Sequence, residues 1–230
     1  MRSIIFDAGP VISLTMNNLL WLLEPLKSHY KGEFYLANIA KNELVDRPLK
    51  TKKFKFEALQ VMRYINKGVL KIVENEKIKR TAIELLDIAN TCFNARGSWI
   101  RIVHYGEMEG VAACIRLNSD AFVVDERTTR MLIENPKREV EILKKTLHVD
   151  IKVNEENLRK FRSLTKDIRI IRSVELVTIA YELGLLNEFL PNIENPKETL
   201  LDSVLWGVKL DGCAVSKREI EQILKMEIKK

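Results

Sequence analysis

Four acids, Asp7, Glu43, Glu107 and Asp125, lie in four separated segments and carry the chemistry this chain could assemble. Asp7 closes the apolar run Ser3 to Phe6, and Asp125 closes another that begins at Ala121. In a parallel sheet, residues at strand ends emerge together at the carboxyl edge, where such sheets bind their ligands. Glu43 falls in a short helix after the second strand, and Glu107 in the first turn of a helix starting at Gly106. Carboxylates brought that close repel one another unless a cation compensates them. Their hard oxygens suit Mg²⁺ or Mn²⁺, which keep several waters and bridge to substrate phosphates. Each acid also has a plainer role open to it. Asp7 can cap the helix that follows it, and Glu107 can serve the positive end of its own helix. Glu43 can be an ordinary surface acid, and Asp125 can start a turn or cap Arg127 to Ile133.

Other chemistries have no footing. His29, His104 and His148 sit in unrelated contexts, none beside a Cys or Glu at metal-ligand spacing. Cys92, Cys114 and Cys213 are far apart and form no Cys-x-x-Cys pair, so they read as small buried side chains. The chain lacks a Gly-x-Ser-x-Gly elbow, a Gly-x-Gly-x-x-Gly turn and a Walker-type Gly-Lys-Ser/Thr.

The elements that must position the acids follow from periodicity. Strands are expected at Ser3–Phe6, Glu33–Ala37, Val69–Val73 and Ala121–Val124, with a short further one at Ile168–Ile171. Helices are expected to open at Pro10 and to cover Ile39–Val45, capped by Asn38 and ended by Pro48. Further helices are expected at Phe54–Asn66, Glu76–Phe93, Gly106–Leu117 and Arg127–Ile133, with an irregular stretch around Gly97 and a break at Asn135-Pro136. Alternation of strand and helix argues for an α/β fold, a central parallel sheet flanked by helices. After Asn154 the pattern is helix-dominated: Glu155–Leu164, Ser173–Leu183, Lys197–Val208 and Ser216–Met226. Residues 1–150 are therefore expected to form the α/β domain, and 151–230 a helix-rich C-terminal extension packed on it or completing it.

The chain has 230 residues with only 9 Gly and 6 Pro, enough length for a real core and a composition that favours helix. The longest uninterrupted apolar stretch, Leu19 to Leu23, is far too short to span a membrane, and the opening residues lack a signal-peptide stretch. An intracellular, cytoplasmic protein is expected. The formal charge of +6 admits a polyanionic partner without requiring one. Lys50, Lys52, Lys53 and Lys55 cluster beside Phe54 and Phe56, and Arg159, Lys160, Arg162, Lys166, Arg169 and Arg172 form a second group. Either group could track a nucleic-acid backbone, or be a solvated helix face. Arg127 and Arg130, close behind Asp125, are better placed to contact a phosphate, or else to pair with those same acids.

Several segments resemble the PIN-domain nucleases, and more closely a prokaryotic branch of them. IIFDAGPVISLTMNNLLWLL is similar to the family's opening strand, acid and helix, and FYLANIAKNELVDRP to its second block, with Glu43 as the second acid. GEMEGVAACIRLNSDAFVVDERTTR resembles the Gly-Glu-x-Glu helix, the next strand and its closing Asp. SVELVTIAYELGLL and LLDSVLWGVKLDGCAVSKREIEQIL resemble the closing segment, while residues 50–99 find no counterpart. The resemblance implies a PIN-like, Rossmann-like sheet and a ribonuclease, a hydrolase of phosphodiester bonds in single-stranded RNA. It implies Mg²⁺ or Mn²⁺ held by Asp7, Glu43, Glu107 and Asp125, with Glu109 able to share the role of Glu107. A homodimer and a protein inhibitor are admitted as partners. The alternative is a catalytically inactive PIN-like module that binds RNA or a protein. A phospho-acceptor use of Asp7, as in the haloacid-dehalogenase pattern, would need a second Asp where this chain has Gly9.

Overall fold

The computed structural model describes residues 2–229. The chain begins with strand β1 (Ser3–Phe6), whose four side chains are all buried, and turns at Asp7 into helix α1 (Ala8–Met16). A 3₁₀ turn (Leu20–Leu22) leads to α2 (Leu23–Tyr30) and then β2 (Glu33–Ala37). Helix α3 (Asn38–Lys41) follows, widens into a π turn over Asn42–Asp46, and resumes as α4 (Arg47–Leu49). Helix α5 (Lys55–Asn66) precedes β3 (Leu70–Val73), and α6 (Glu76–Asn90) precedes the short strands β4 (Phe93–Ala95) and β5 (Ser98–Trp99). Helix α7 (Tyr105–Leu117), β6 (Ala121–Val123), α8 (Arg127–Glu134), α9 (Pro136–Leu147) and β7 (Ile151–Val153) come next. The chain closes with α10 (Glu155–Thr165), β8 (Ile170–Ile171), α11 (Ser173–Glu182), α12 (Pro196–Leu210) and α13 (Lys217–Glu227).

Five strands form one sheet in the order β3-β2-β1-β6-β8, and every neighbouring pair is parallel. Phe6 pairs with Leu36 on one side and Val123 on the other, so the carboxyl ends of the three central strands are level. From β1 the chain builds outward to β2 and β3, then returns to place β6 and β8 on the other flank. The strand order therefore reverses between β1 and β6, and the carboxyl edge at such a switch point is where open α/β sheets bind their ligands.

The sheet is covered on both faces. Ile4 and Phe6 point into a core shared with α1, α2, α11 and α12, while Ile5 and Phe122 point into one built with α6, α7 and α10. Helix α7 lies very close to the sheet at Gly110, where an added Cβ would stand 2.5 Å from Phe122. The C-terminal segment is part of this architecture. Strand β8 joins the central sheet, and Leu201, Leu205, Val208 and Ile220 are buried in the same core as β1. Among the described residues no helix is long and apolar enough to cross a membrane.

The elements depart from the expected ones at several places: α1 opens at Ala8, ahead of Pro10, and α9 and β7 fill the stretch after the break at Asn135-Pro136. The helix from Glu76 stops at Asn90, because Phe93 pairs with Val153 of β7 instead of extending it. The stretch around Gly97 is a hairpin, with β4 and β5 joined by Arg96 and Gly97, both at positive φ (52° and 86°). Two central residues with φ > 0 give the twist that a two-residue hairpin requires. Pro48 does not end the helix carrying Glu43. The π turn before it absorbs the backbone bond a proline cannot make, and the helix runs on through Arg47–Leu49.

Candidate functional site

Asp7 leaves β1 with its N–H bonded to the Val123 carbonyl at 2.9 Å, which pins it at the switch point. Its carboxylate caps α1, accepting the Gly9 N–H at 3.3 Å, so the plainer capping role is present. Its surroundings also disfavour its charged form. Dehydration on burial pushes the carboxyl up to about 7, the backbone N–H groups of Ala8 and Gly9 oppose this, and Glu107 and Glu43 push the same way. An ordinary aspartate ionises near 4, so this carboxyl stands far from its usual range.

Glu43 sits in the π turn, exposed, with its carboxyl against the first turn of α7: a Cβ added at Gly106 would stand 3.7 Å from Glu43 Oε1. Dehydration there raises its pKa, opposed by Arg47 and His104 and reinforced by Glu107. Glu107, the third residue of α7, turns one oxygen back to its own helix, where Oε2 accepts the His104 N–H at 2.6 Å. Asp7, Glu43 and Glu107 thus form one mutually repelling group at the carboxyl edge of β1 and β2.

Asp125 stands on the same edge, two residues after β6, and Gly9 lies between it and Asp7. A Cβ added at Gly9 would meet Asp7 Oδ2 at 3.5 Å and the Asp125 Cβ at 3.8 Å. Unlike Asp7, it is only 3% exposed and fully engaged. Its Oδ1 accepts the Ser173 N–H at 2.8 Å, and its Oδ2 accepts the hydroxyls of Ser13 (3.1 Å) and Ser173. Its carbonyl accepts the Ala214 N–H at 3.1 Å. One residue therefore ties β6 to α1, to the start of α11 and to the turn after α12.

The neighbouring acids are occupied elsewhere. Glu109, 4% exposed, accepts the Ile39 N–H at 2.8 Å and the Tyr105 hydroxyl at 3.3 Å, capping the start of α3 across the sheet edge. This carboxylate does the work expected of Asn38, which is the first helical residue and makes no side-chain cap. Glu126 caps α8 through the N–H groups of Thr128 and Thr129 at 2.7 and 2.6 Å. Arg127 and Arg130 make no ion pair with Asp125 or Glu126 among the described residues; they face a separate cleft. The second basic group is partly spent on structure, since Arg172 bridges Glu175 and Glu219 and Lys160 pairs with Glu84. Near Glu43, an apolar pocket of about 90 Å³ is lined by Ile12, Met16, Leu44, Phe54 and Val61.

The donor set is all carboxylate, which fits a hard divalent cation. Among the described residues, however, no three His, Cys, Asp or Glu side chains close into a metal-binding group. Mg²⁺ typically takes one or two carboxylates directly and reaches others through its waters, so an open cluster of this kind accommodates it. Sequence reasoning missed Ser13, Ser173 and the true task of Glu109. Only Ser13, a hydroxyl amid the apolar residues of α1, left a signal, since a buried polar group needs a partner. No family model, curated protein or solved structure matches this chain.

Proposed function

We propose that this chain is a divalent-metal-dependent endoribonuclease with a PIN-like fold, hydrolysing phosphodiester bonds in single-stranded RNA. The observation that carries the reading is the carboxyl of Asp7, pushed to about 7 at a topological switch point with Glu107 and Glu43 crowding it. A site that crowds carboxylates together in this way is adapted to a cation and, through it, to a phosphate. Asp7, Glu43 and Glu107 would hold Mg²⁺ or Mn²⁺. Asp125, its oxygens already bonded, would hold the site's rear wall through Gly9 rather than act as a ligand. When bound, such an ion lowers the pKa of a water and neutralises charge on the phosphate under attack. The residues of the chain supply position: the cap on α1 fixes Asp7, the π turn sets Glu43, and the tight seat of α7 on Phe122 sets Glu107.

The test is cleavage of a fluorescent single-stranded RNA. Cutting is expected with Mg²⁺ or Mn²⁺, none with EDTA, and none from Asp7→Asn with any metal. Cutting that survives Asp7→Asn in a preparation free of contaminating ribonuclease would sink the mechanism. One observation favours a second reading, a PIN-like module that binds RNA or a protein without cutting. Glu107 and Asp125 already spend oxygens on backbone and hydroxyl donors, and no closed ligand group is present among the described residues. RNA binding with no cleavage under any metal would select it.

A further inference from the structure

Beside the acidic edge, on the flank of β6 and β8, a cleft of about 630 Å³ opens between helices α8 and α9 and the turn from α12 to α13. Arg127, Arg130, Arg138, Lys209 and Arg218 line it, against a single carboxylate, Glu219. That carboxylate is already engaged, since it accepts the Ser216 N–H at 2.9 Å and a guanidinium hydrogen bond from Arg172 at 3.0 Å. Lys209 is held by the Val215 carbonyl. The four arginines make no ion pair among the described residues, and Nε of Arg130 is buried without any acceptor. The buried carboxylate of Glu139, also without a hydrogen-bond partner, offsets part of this charge through Arg127 but does not line the cleft, so the guanidinium groups that do line it remain open to an anion.

We propose that this cleft binds the phosphate backbone of a single-stranded RNA, as a site separate from the acidic cluster. Four arginines drawn from α8, α9 and α13 surround a volume far larger than one phosphate, which suits a chain of phosphodiesters and not a lone anion. One wall of the cleft adjoins the acidic edge. Cys213 and Ala214 form part of its lining, and Ala214 donates its N–H to the Asp125 carbonyl. A strand lying across the switch point would thus pass from carboxylates at β1 and β2 to guanidinium groups beyond β6. The choice of RNA rests on the proposed function, but the charge does not.

The experiment measures binding of a labelled single-stranded RNA by full-length protein in EDTA, which separates it from cleavage. Arg138 and Arg218 are both exposed, so Arg138→Gln with Arg218→Gln should leave the melting curve unchanged. Affinity is expected to fall at least tenfold, and the log–log salt slope to shrink by about 1.4, roughly 0.7 for each phosphate no longer neutralised. Arg63→Gln with Lys225→Gln, the same charge change away from the cleft, is expected to leave affinity within twofold. Undiminished binding by the cleft variant would overturn the proposal, as would absence of RNA binding by the wild type. Displacement of RNA by tripolyphosphate at equal phosphate concentration would overturn the polymer assignment in favour of a small phosphate ligand. Loss of cleavage under every metal with cleft-dependent binding intact would end the nuclease reading and leave this one standing.

Discussion

Ser173 gives both its backbone N–H and its hydroxyl to the carboxylate of Asp125, one to each oxygen, with the N–H bond at 2.8 Å. The two residues lie 48 positions apart in the chain and join the end of β6 to the first turn of α11. Ser13 adds a third donor from α1. Asp125 is in this way a structural tie between the sheet and the C-terminal helices, on the same edge as an acid of the opposite temperament, Asp7.

Removing that tie should be costly. Asp125→Ala strands the buried N–H and hydroxyl of Ser173, each a group whose loss of partner costs about 1–3 kcal/mol, while the Ser13 hydroxyl keeps the Asp211 carbonyl at 3.1 Å. A destabilisation of about 3 kcal/mol or more is expected in urea unfolding, and about 1 kcal/mol for Ser173→Ala. A cost under about 1 kcal/mol for Asp125→Ala would show that the tie is not structural.

How much of this was legible in the sequence depends on range. Asp7 and Asp125 could be placed on one edge because each follows a short apolar strand, and parallel strands end together. Glu107 and Glu109 could be separated in direction because they stand two apart on a helix. Their actual tasks could not be read, since Glu109 bonds a backbone group 70 positions away and Ser13 bonds Asp125 across 112. The β4–β5 hairpin was hidden for the same reason: its outer partner is β7, far along the chain, and its own residues are mixed in polarity. Local pattern fixes elements and edges, whereas hydrogen-bond partners are chosen by the tertiary fold.

Glu109 offers a test of how Glu43 is positioned. Glu109→Ala leaves the Ile39 N–H without its acceptor at the start of α3, the helix that leads into the π turn of Glu43. A loss of about 1–3 kcal/mol is expected, with a smaller loss for Glu109→Gln, which keeps a carbonyl acceptor. Hydrogen exchange at Ile39 should quicken in Glu109→Ala. Unchanged exchange there would remove Glu109 from the path that places Glu43.

The C-terminal helices cannot be an independent appendage. Leu201, Leu205 and Val208 of α12 and Ile220 of α13 are 0 or 1% exposed, in the core that also holds Phe6 and Leu14. Ending the chain before α12 uncovers that face, and each large buried aliphatic is worth about 1.5–3 kcal/mol. A chain stopped at residue 195 is expected to be insoluble or molten, without a cooperative melt. A soluble truncated monomer with a sharp transition would contradict the shared core.

Asp7 should behave in the opposite sense to Asp125. Its folded carboxyl ionises near 7, above the unfolded value near 4, so the folded state keeps a proton that the unfolded state releases. Stability of the metal-free protein from this group is fully present below about pH 4, declines as pH rises, and levels off above about 7. The size is at most on the order of 4 kcal/mol, and less if water or ions reach the carboxyl. Asp7→Asn removes the titration, so its stability should lie above the wild type near pH 7.5 and converge with it near pH 4. Mn²⁺ should raise the wild-type melting temperature at pH 7.5 and leave that of Asp7→Asn nearly unchanged, because binding to the folded state alone is what stabilises it. Urea unfolding of both proteins from pH 4 to 8, with and without Mn²⁺, decides the matter. A stability difference that stays constant across that range would mean Asp7 is only a helix cap, and the cation reading of the acidic edge would fall with it.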